Sequence, residues 1–509
     1  MEMIIMLLNF LEKNIQNKVK ILSILQMQQK ITFQDLKQHI HISSSNIHTI
    51  IQDMNIELKN SIHIKKESNS YSLSMENNFV QCCHRIFQHS QVLQCLRFLI
   101  MNEKKESFQK YIDQAFLTKS SAYRIRQVAE NYLHCIGLNI QNNYVIGPEY
   151  RIRFLIALLY YKYGIECYEI QKKDVQIARQ FILSTNDVID ASFLTNTEIE
   201  YGYFEYLLIL SWKRKNFSLE TIDTEIFSKL KTLFVYEKLI EHLHKTIEPA
   251  LSLSYNREDY DYLYLVYLST NSCIFADKWT QDDIQYLHTI TFENAMYQDL
   301  LQRFTKLFGK TICLSHVFRS TLIYFYRHCL LDLQCIIPDK NLFIVSKQDK
   351  YTQIVYKKIQ TIVEDWRVAN HLQYPFDEDH IFYLSLQIKF IIRQFIPSIP
   401  VYICSDHNAE LEVMLLHLYR LFSQRRITIH PLLLNAQNTN FIQEQTNSIF
   451  LVRKKFVQLL DSLKISEHNT IVVISAEMND DQIQTFHRSI EKYEKQQFLD
   501  FLQKDIQSD

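Results

Sequence analysis

Residues 42–58 read Ile-Ser-Ser-Ser-Asn-Ile-His-Thr-Ile-Ile-Gln-Asp-Met-Asn-Ile-Glu-Leu, and residues 117–133 read Leu-Thr-Lys-Ser-Ser-Ala-Tyr-Arg-Ile-Arg-Gln-Val-Ala-Glu-Asn-Tyr-Leu. The two stretches align without a gap. Each opens with Ser or Thr, side chains that are preferred at a helix N-cap, and then places apolar residues at helical spacing on one side. Small polar or basic residues occupy the other side. This pattern is typical of a recognition helix that enters the major groove of DNA.

The segments around each stretch complete the same unit. In the first copy, apolar positions at 19–25 and a short helix at 32–39 precede the stretch, and strands at 61–65 and 70–74 follow it. The second copy repeats this order at 92–99, 108–114, 138–140 and 144–146. The order predicts two winged helix-turn-helix units. The alternative is a pair of ordinary three-helix bundles that bind no nucleic acid, but repetition with a wing each time favours DNA binding.

The outward faces of the two predicted helices differ in charge. On the second helix, the candidate DNA contacts are Lys119, Ser120, Ser121, Tyr123, Arg124 and Arg126. In the first unit, they are Ser44, Ser45, Asn46, His48 and Thr49, with Lys65 and Lys66 on the wing. Residues 81–153 hold ten Lys and Arg against five Asp and Glu, in a chain whose net charge is −1. Because neutralising phosphates releases counter-ions, we expect the second unit to contribute most of the affinity.

Composition excludes several classes of function. The 509 residues include only five glycines, and the sequence has no glycine-rich loop of the kind that cradles a nucleotide phosphate. The ten cysteines are scattered without C-x-x-C spacing, so we expect no metal site and no cofactor, and free thiols fit a reducing cytoplasm. The apolar start, residues 1–10, contains Glu2, lacks a basic leader and is too short to span a bilayer. We therefore expect a packed N-terminal helix and a soluble, cytoplasmic protein without membrane contact.

Residues 150–395 have the pattern of a nearly all-helical region. The predicted helices are 152–163, 199–213, 222–247, 259–268, 298–308, 317–333, 351–366 and 378–395. Breaks are expected at Gly164, Pro249, Pro338 and Pro375. This spacing predicts two helical bundles that meet near residue 285.

After Pro397 the pattern changes to alternating strands and helices. Strands are predicted at 400–404, 427–434 and 470–475, with helices at 409–421 and 453–463 between them. Such alternation favours a small parallel α/β domain. A ligand of this domain would bind at the carboxyl ends of the strands, where Cys404, Ser405 and Asp406 lie.

The complete order resembles the Mga/AtxA family of transcriptional regulators from low-GC Gram-positive bacteria. The sharpest local match is 117–124, continued through Gly-Pro-Glu-Tyr-Arg-Ile-Arg at 147–153. The resemblance implies a mainly α, multidomain fold that covers essentially the whole chain. Its predicted parts are a first winged helix-turn-helix domain, a second one, two regulatory helical domains of the phosphotransferase-system type and an enzyme IIB-like α/β domain, at 1–76, 77–165, 166–285, 286–396 and 397–509.

The resemblance also implies a function. A protein of this type is not an enzyme; it binds double-stranded promoter DNA as a homodimer or larger oligomer and acts mainly as an activator with RNA polymerase. The sugar phosphotransferase system, through its phosphocarrier protein, would phosphorylate histidines of the regulatory domains. Carbohydrate supply would in this way be linked to surface and virulence genes.

The sequence departs from the family pattern at the expected phosphorylation sites. Residues 195–215 contain no histidine, so His242 and His244 are substitutes in the first bundle. In the second bundle His316, His328 and His380 are available, and we favour His380, which follows Phe-Asp-Glu-Asp at an expected exposed helix start. The alternative is that it is simply a solvated helix-start histidine near three carboxylates. Phosphorylation there would place additional negative charge beside the carboxylates and shift a bundle interface.

Cys404 corresponds to the phosphorylated cysteine of enzyme IIB proteins. The loop after it, Ser-Asp-His-Asn-Ala-Glu at 405–410, has no glycine and carries two carboxylates that would repel a phosphocysteine. We therefore expect a degenerate domain that is retained for dimer contacts. Three other functions remain open, namely an RNA-binding antiterminator, a phosphocarrier enzyme and an interaction-only protein without DNA binding. Antiterminators begin with a β-rich module, which disagrees with the helical pattern at 18–60.

Overall fold

The computed structural model describes residues 7–40, 42–76, 78–186, 198–270, 274–338, 350–422, 427–434, 439–465, 469–475 and 478–503, without the side chains of 44, 198–201, 350 and 439. The described chain is mainly helical, with small sheets in the N-terminal part and one parallel sheet near the C-terminus. This confirms the predicted fold class. Contacts divide the chain into a first unit, 1–304 with 316–387, and a second unit, 305–315 with 388–509. The division into five domains remains a prediction.

The first winged helix begins with an apolar helix pair. Its elements are α1 (Leu7–Phe10), α2 (Lys13–Gln28), β1 (Lys30–Thr32), α3 (Phe33–Ile40), α4 (Ser44–Glu57), β2 (Ile62–Glu67) and β3 (Ser70–Met75). The strands form an antiparallel sheet in the order β1-β3-β2, and a two-residue turn after Glu67 closes the wing. The sequence pattern missed the short strand β1, because three residues are too few to show alternation.

The second winged helix repeats this arrangement with a shorter wing. Its elements are α5 (Phe79–Gln88), α6 (Gln91–Met101), α7 (Phe108–Gln114), α8 (Lys119–Cys135), β4 (Asn139–Gln141) and β5 (Tyr144–Ile146). Asn142 and Asn143 make the wing turn with φ of 50° and 58°. Asn tolerates this left-handed conformation better than most residues, which suits a tight two-residue hairpin.

Helices make up most of the described residues between 149 and 395. They are α9 (Glu149–Tyr163), α10 (Lys172–Ser184), α11 (Glu198–Lys213), α12 (Glu225–Leu230), α13 (Phe234–Leu251), α14 (Arg257–Ser269), α15 (Gln281–Phe292), α16 (Ala295–Phe308), α17 (Lys310–Cys313), α18 (His316–Tyr326), α19 (Lys350–Ala369) and α20 (Glu378–Phe395). Short 3-10 helices lie at Ala276–Lys278 and Arg327–Cys335. One hydrophobic core in the first unit runs from Leu7 in the first winged helix to Ile337, so both winged helices share a core with the helical region.

Three predicted details of this region are wrong. The helix expected at 222–247 is broken between Leu230 and Phe234, and Pro249 lies inside the last turn of α13 instead of ending the helix before it. The helix expected at 317–333 ends at Tyr326, and residues 330–332 leave the helical conformation. In the last case the cause is tertiary, because a buried arginine from α9 binds the backbone carbonyls of 331 and 332.

The second unit contains the predicted small α/β fold. Its elements after α20 are β6 (Ile399–Ser405), α21 (Asn408–Phe422), β7 (Ile427–Leu433), α22 (Thr439–Glu444), β8 (Ile449–Val452), a 3-10 helix (Lys454–Phe456), α23 (Val457–Ser462), β9 (Thr470–Val473) and α24 (Asp480–Gln503). The parallel sheet has the order β7-β6-β8-β9. Separate apolar cores cover its two faces. The sequence predicts three of these strands and misses β8, because its four buried residues show no alternation.

Candidate nucleic-acid interface

The second recognition helix, α8, begins with a cluster of hydroxyl groups. The Thr118 side chain caps the helix by accepting a hydrogen bond from the Ser121 backbone amide. Lys119 and Ser120 are exposed beside it, and Ser121 is half-buried. Backbone amides at a helix start favour an anion, so this end of α8 suits a phosphate of the DNA backbone.

The outward face of α8 carries a cation that is available to a ligand. Arg124 is exposed, and within the described part of the chain its guanidinium has no hydrogen-bond or ion-pair partner. Tyr123, which is 55% exposed, precedes it, while Ala122 and Ala129 are fully buried on the opposite face. A guanidinium in this position can bind a phosphate or read a guanine edge through two parallel hydrogen bonds.

Arg126 is partly engaged within the domain. Its guanidinium donates a 2.8 Å hydrogen bond to the Asn143 side chain in the wing turn and lies 5.1 Å from the centre of the Phe108 ring. The Asn143 side-chain amide donates a hydrogen bond to the Glu106 backbone carbonyl. The Asn102 side-chain amide donates to the backbone carbonyls of Glu106 and Asn143. Arg126 therefore fixes the wing against α8, an internal role that the sequence pattern did not reveal.

The first recognition helix, α4, has the same cap but contains no Lys or Arg. Ser43 accepts a hydrogen bond from the Asn46 backbone amide. Ser45, Asn46 and Thr49 are exposed or partly exposed, as the helical spacing indicated. The side chain of Ser44 lies outside the described residues. This face presents hydroxyl and amide groups and no positive charge.

His48, also a candidate contact on α4, is held inside the first winged helix. Its ring stacks on Phe33 with the centroids 5.4 Å apart and hydrogen-bonds to the hydroxyl of the buried Tyr71 on the wing. The wing of this unit carries two exposed cations, Lys65 and Lys66 on β2. The first winged helix therefore presents its positive charge on the wing, and the second winged helix presents its positive charge on the recognition helix.

A buried arginine joins the second winged helix to the helical region that follows it. Arg151 on α9 is 2% exposed, and its Nε donates a 2.6 Å hydrogen bond to the Ile136 carbonyl, at the end of α8. Its terminal nitrogens donate to the carbonyls of Leu331 and Asp332, and its guanidinium lies 4.4 Å from the centre of the Tyr374 ring. One side chain thus connects the recognition helix with the segment at Arg327–Cys335.

A second buried arginine, Arg214, connects α9 to the end of α11. Arg214, which follows α11, binds Glu149 on α9 with both ends of its guanidinium, at 2.7 Å each, and Arg153 donates to the same carboxylate at 2.9 Å. All three side chains are buried. Since Arg151 and Arg153 are buried, the second winged helix exposes less positive charge than the residue count indicated.

The far end of α9 carries a third buried connection. The Lys162 ammonium lies 2.8 Å from an Asp379 oxygen and 4.0 Å from an Asp377 oxygen at the start of α20. Burial opposes its charge, but the two carboxylates outweigh burial and raise the pKa of Lys162. Helix α9 is therefore bound at both ends to the helices that follow it. The signal for these ties in the sequence was a set of charges within an otherwise apolar helix.

The expectation that His380 is exposed is wrong. Its side chain is 2% exposed, its Nε2 hydrogen-bonds to the Ile337 carbonyl at 2.9 Å, and its ring lies 4.3 Å from the ring of the buried His328. Burial, with the nearby His380 and Arg327, lowers the pKa of His328 well below its ordinary value, so this ring is neutral. The helix start at 378 was predicted correctly, but tertiary packing covers it.

The other three candidate histidines are more accessible. His316 lies at the start of α18, and His244 is exposed on α13, where Glu248 hydrogen-bonds to its ring at 2.8 Å. His242 is half-buried and lies 3.0 Å from the Ser184 hydroxyl. Burial lowers the pKa of His242, so its ring stays neutral to a lower pH than that of an ordinary histidine.

Cys404 lies at the end of β6, but its thiol is not presented at the sheet edge. The side chain is buried in an apolar core with Phe450 and Val452, and burial raises the pKa of the thiol to about 12. A thiolate is the nucleophile in cysteine chemistry, so this environment opposes phosphate transfer. Opposite charges at the same edge pair with each other, namely Asp406 with Lys455 and Glu410 with Arg453.

The described residues form neither a metal centre nor a membrane span. No group of three or more His, Cys, Asp or Glu side chains among them is arranged to hold a metal ion. No described helix is sufficiently long and apolar to cross a membrane.

Comparison with known families gives two matches. The model of the Mga helix-turn-helix domain matches residues 76–160, and the model of the M protein trans-acting positive regulator (MGA) PRD domain matches residues 175–384. Together the two ranges span more than half of the chain. The chain belongs to the Mga family of regulators. A comparison with curated proteins finds no match.

The matched ranges give the geometry a biological meaning. The first includes α8 with Arg124, so the exposed cationic helix belongs to the DNA-binding part of a Mga-type transcriptional regulator. The second covers Leu331 and Asp332, which bind Arg151, as well as Arg214, which binds Arg153, and Asp379, which binds Lys162. In this Mga-family protein the recognition helix is therefore linked by buried side chains to the regulatory domain. Residues 1–75, 161–174 and 385–509 lie outside both ranges.

Proposed function

We propose that this Mga-family protein is a cytoplasmic transcriptional activator that binds double-stranded promoter DNA and engages RNA polymerase. Phosphorylation by the phosphotransferase system, through its phosphocarrier protein, and oligomerisation would tune its activity. The observation that carries the proposal is the exposed Arg124 on a helix whose far end is hydrogen-bonded, through Arg151, to the regulatory helices.

Binding to DNA would depend mainly on the second winged helix. Lys119 and Arg124 add positive charge to a helix start that already offers hydroxyls and backbone amides. Phosphate contacts of this kind fix the position of a protein on the duplex and make its affinity fall steeply with salt. The first winged helix, with Lys65 and Lys66 on its wing, would add contacts on a neighbouring part of the promoter.

Regulation would act through α9. A rearrangement around the Arg327–Cys335 segment changes the carbonyls that hold Arg151, and Arg151 also holds the end of α8. Leu331 and Asp332 have φ of 52° and 56°, a conformation that L residues adopt at a cost of order 1–2 kcal/mol each. A strained segment that is held by one arginine is suited to having two arrangements.

Phosphorylation would occur first on the accessible histidines. His316 begins α18, where the helix dipole favours negative charge, and His244 is exposed on α13. His242 is half-buried, and His380 accepts phosphate only when the contact of its ring with Ile337 opens. A phosphate on His380 would place roughly −1.5 to −2 charges near Asp377 and Asp379 and would disrupt the contact with Lys162.

The histidine assignments can be tested by phosphotransfer in vitro. The intact protein would be incubated with labelled phosphoenolpyruvate, enzyme I and the phosphocarrier protein, beside the variants His316→Ala, His244→Ala and His380→Ala. We expect less label in each of the first two and little change in the third. Label that disappears only in His380→Ala would show instead that the bundle opens readily and that the buried histidine is the acceptor.

Self-association would use the C-terminal unit. Val413, Leu416 and Tyr419 form an apolar stripe on the outer face of α21, and Leu416 is 73% exposed. An exposed apolar patch of this kind is typical of a protein interface. Sedimentation equilibrium should show a dimer or larger species for the intact protein and a monomer for Leu416→Glu, whereas Glu412→Gln on the same helix is the matched control. Unchanged association of Leu416→Glu would remove this surface from the proposal.

DNA binding itself is tested by a salt titration with AT-rich promoter fragments and a scrambled control. Steep salt dependence that decreases in Arg124→Ala supports the proposal, because the log–log slope falls by about 0.9 for each phosphate that the protein no longer neutralises. If the intact, oligomeric protein does not bind DNA at low salt, the proposal is wrong and an interaction-only role replaces it.

A further inference from the structure

A cavity of about 320 Å³ lies within the first unit between two groups of regulatory helices. Helices α12 and α14 provide one wall, and α15 and α18 provide the other. The Arg327–Cys335 segment closes one end through Arg327 and Leu330. The volume is at the lower end of the roughly 300–1,000 Å³ that is usual for small-molecule sites. It therefore fits a compact ligand.

The walls of the cavity are mainly apolar and aromatic. The aromatic side chains include Tyr267, Trp279 and Tyr324, and the aliphatic ones include Leu268 and Ile323. The Trp279 indole donates a hydrogen bond to the Tyr267 hydroxyl at 3.3 Å, which holds the two rings in place. Fixed aromatic faces of this kind are suited to a flat, apolar ligand group.

The polar groups in the cavity favour a negative charge. Arg327 and His288 line it together with the hydroxyls of Ser320 and Thr291, and no Asp or Glu is among the described lining residues. The Arg327 guanidinium lies 4.1 Å from the centre of the Tyr324 ring, so the cation is at the edge of the aromatic wall. This combination complements a carboxylate that is attached to an aromatic or similarly apolar body.

We propose that this cavity is an effector site for a small aromatic carboxylate. The carboxylate would bind Arg327, with the hydroxyls of Ser320 and Thr291 nearby, and the ring would pack against Trp279 and Tyr267. Neither phosphorylation nor DNA binding requires such a ligand, so the site would provide a separate input to the regulatory helices.

The position of the site explains how its occupancy would reach DNA. Leu330 lines the cavity, and the next two residues, Leu331 and Asp332, accept hydrogen bonds from Arg151. Tyr324 lines the same cavity and contacts the ring of His328, with the centroids 5.8 Å apart. A bound ligand would press on the segment that holds Arg151 and so change the hold on α8. This second step, unlike binding itself, depends on the proposed function.

The binding step is tested with phenylacetate as the probe and phenylacetamide as its neutral analogue. Isothermal titration of the intact protein should show that phenylacetate binds and that the amide binds at least about tenfold more weakly, since the charged hydrogen bond is lost. Quenching of Trp279 fluorescence should accompany binding and be absent in Trp279→Phe. Equal binding of the two probes, or no binding of phenylacetate up to about 10 mM, would overturn the site.

Two variants and a control keep the test independent of folding. Arg327→Met should weaken binding of phenylacetate about tenfold or more without affecting the amide, and Ile323→Trp should abolish binding of both by filling the cavity. Arg303→Met, which removes a cation that pairs with Asp299, is the matched control. Retained phenylacetate binding in Ile323→Trp would contradict the location, provided that thermal unfolding shows each variant to be folded.

The link to DNA is measured separately. Saturating phenylacetate should change the affinity of the intact protein for promoter DNA by at least about threefold, and Ile323→Trp should remove this response. Binding of the probe without any change in DNA affinity would overturn the link but not the site. Failure of the ligand-free protein to bind DNA would instead overturn the proposed function, and the calorimetric result would remain.

Discussion

The two winged helices have one backbone plan and different surroundings. Buried residues occur at matching positions, Ile47 with Ala122 and Met54 with Ala129, and Ser or Thr caps both recognition helices. The second helix carries an exposed Arg124, whereas the first contains no Lys or Arg. A repeated fold therefore does not imply a repeated role, because the buried face specifies the fold and the exposed face specifies the ligand.

The two winged helices also differ in the part of the protein to which each is attached. Glu12, at the start of α2, accepts hydrogen bonds from the Ser90 hydroxyl and from the backbone amides of Gln91 and Val92. These bonds attach the first winged helix to the second. The second is attached to the regulatory helices by the buried Arg151 and Arg153. A regulatory change is therefore expected to reach the second winged helix more directly than the first.

The largest effect on stability is expected from removing the side chain that attaches the second winged helix to the regulatory helices. Arg151→Met removes the guanidinium that donates to the carbonyls of Ile136, Leu331 and Asp332, which should lower the free energy of unfolding by about 2–4 kcal/mol. Glu12→Gln, where the first winged helix is attached to the second, should lower the free energy of unfolding by about 1 kcal/mol. Urea unfolding followed by circular dichroism measures both, and equal losses would contradict the proposed hierarchy.

The next largest effect compares the contributions of the two winged helices to DNA affinity. Lys119→Ala/Arg124→Ala should weaken promoter binding about 10- to 100-fold and flatten the salt slope by about 2, because two cations leave the DNA face. Lys65→Ala/Lys66→Ala removes the same charge from the first wing and should weaken binding less, by about threefold. Fluorescence anisotropy at several salt concentrations compares them. A larger loss for the wing variant would reverse the assignment of the main DNA contact.

A smaller effect separates internal side chains from DNA contacts. His48→Ala and Arg126→Ala each remove a contact between a recognition helix and its wing, and each should cost about 1–2 kcal/mol in stability. If the internal role dominates, the salt slope of DNA binding should change by less than about 0.5 in either variant. A slope that falls by about 0.9 in Arg126→Ala would show that its guanidinium also holds a phosphate.

The smallest effect is on the response to pH. His328 is neutral in the fold, so only the unfolded chain takes up a proton as pH falls through the ordinary pKa of 6.5, and stability is lost in that range. Asp377 has the opposite sign, because burial raises its pKa from 3.8 and its protonation favours the folded state at more acidic pH. His328→Phe should remove the loss that begins near pH 6.5.

Hydrogen exchange would locate this pH effect. Acidification from about pH 7 to about pH 5.5 should increase opening-dependent exchange, after correction for the intrinsic pH dependence, at residues 119–135 more than at 44–57. The difference should vanish in His328→Phe. Equal changes in α4 and α8 would show that the regulatory helices act on the two winged helices alike.

The sequence predicted much of the fold because many elements have strong local signals. The helices at 108–114 and 378–395 begin and end where periodicity and caps placed them, and both wings were found from alternation. The kink at 330–332 was missed because its cause is the distant Arg151. The strand at 449–452 was missed because a fully buried strand has no polar face to mark it.

The candidate site divides in the same way. Sequence alone determined the recognition helices, their caps and the charge difference between them, because helical spacing decides which side chains can share a surface. Only the tertiary structure decided that Arg126 and His48 face partners within the protein, that His380 is buried and that Arg151 joins the two functional parts. Local spacing sets the direction of a side chain on its own element, but burial and pairing depend on residues that are far away in the chain.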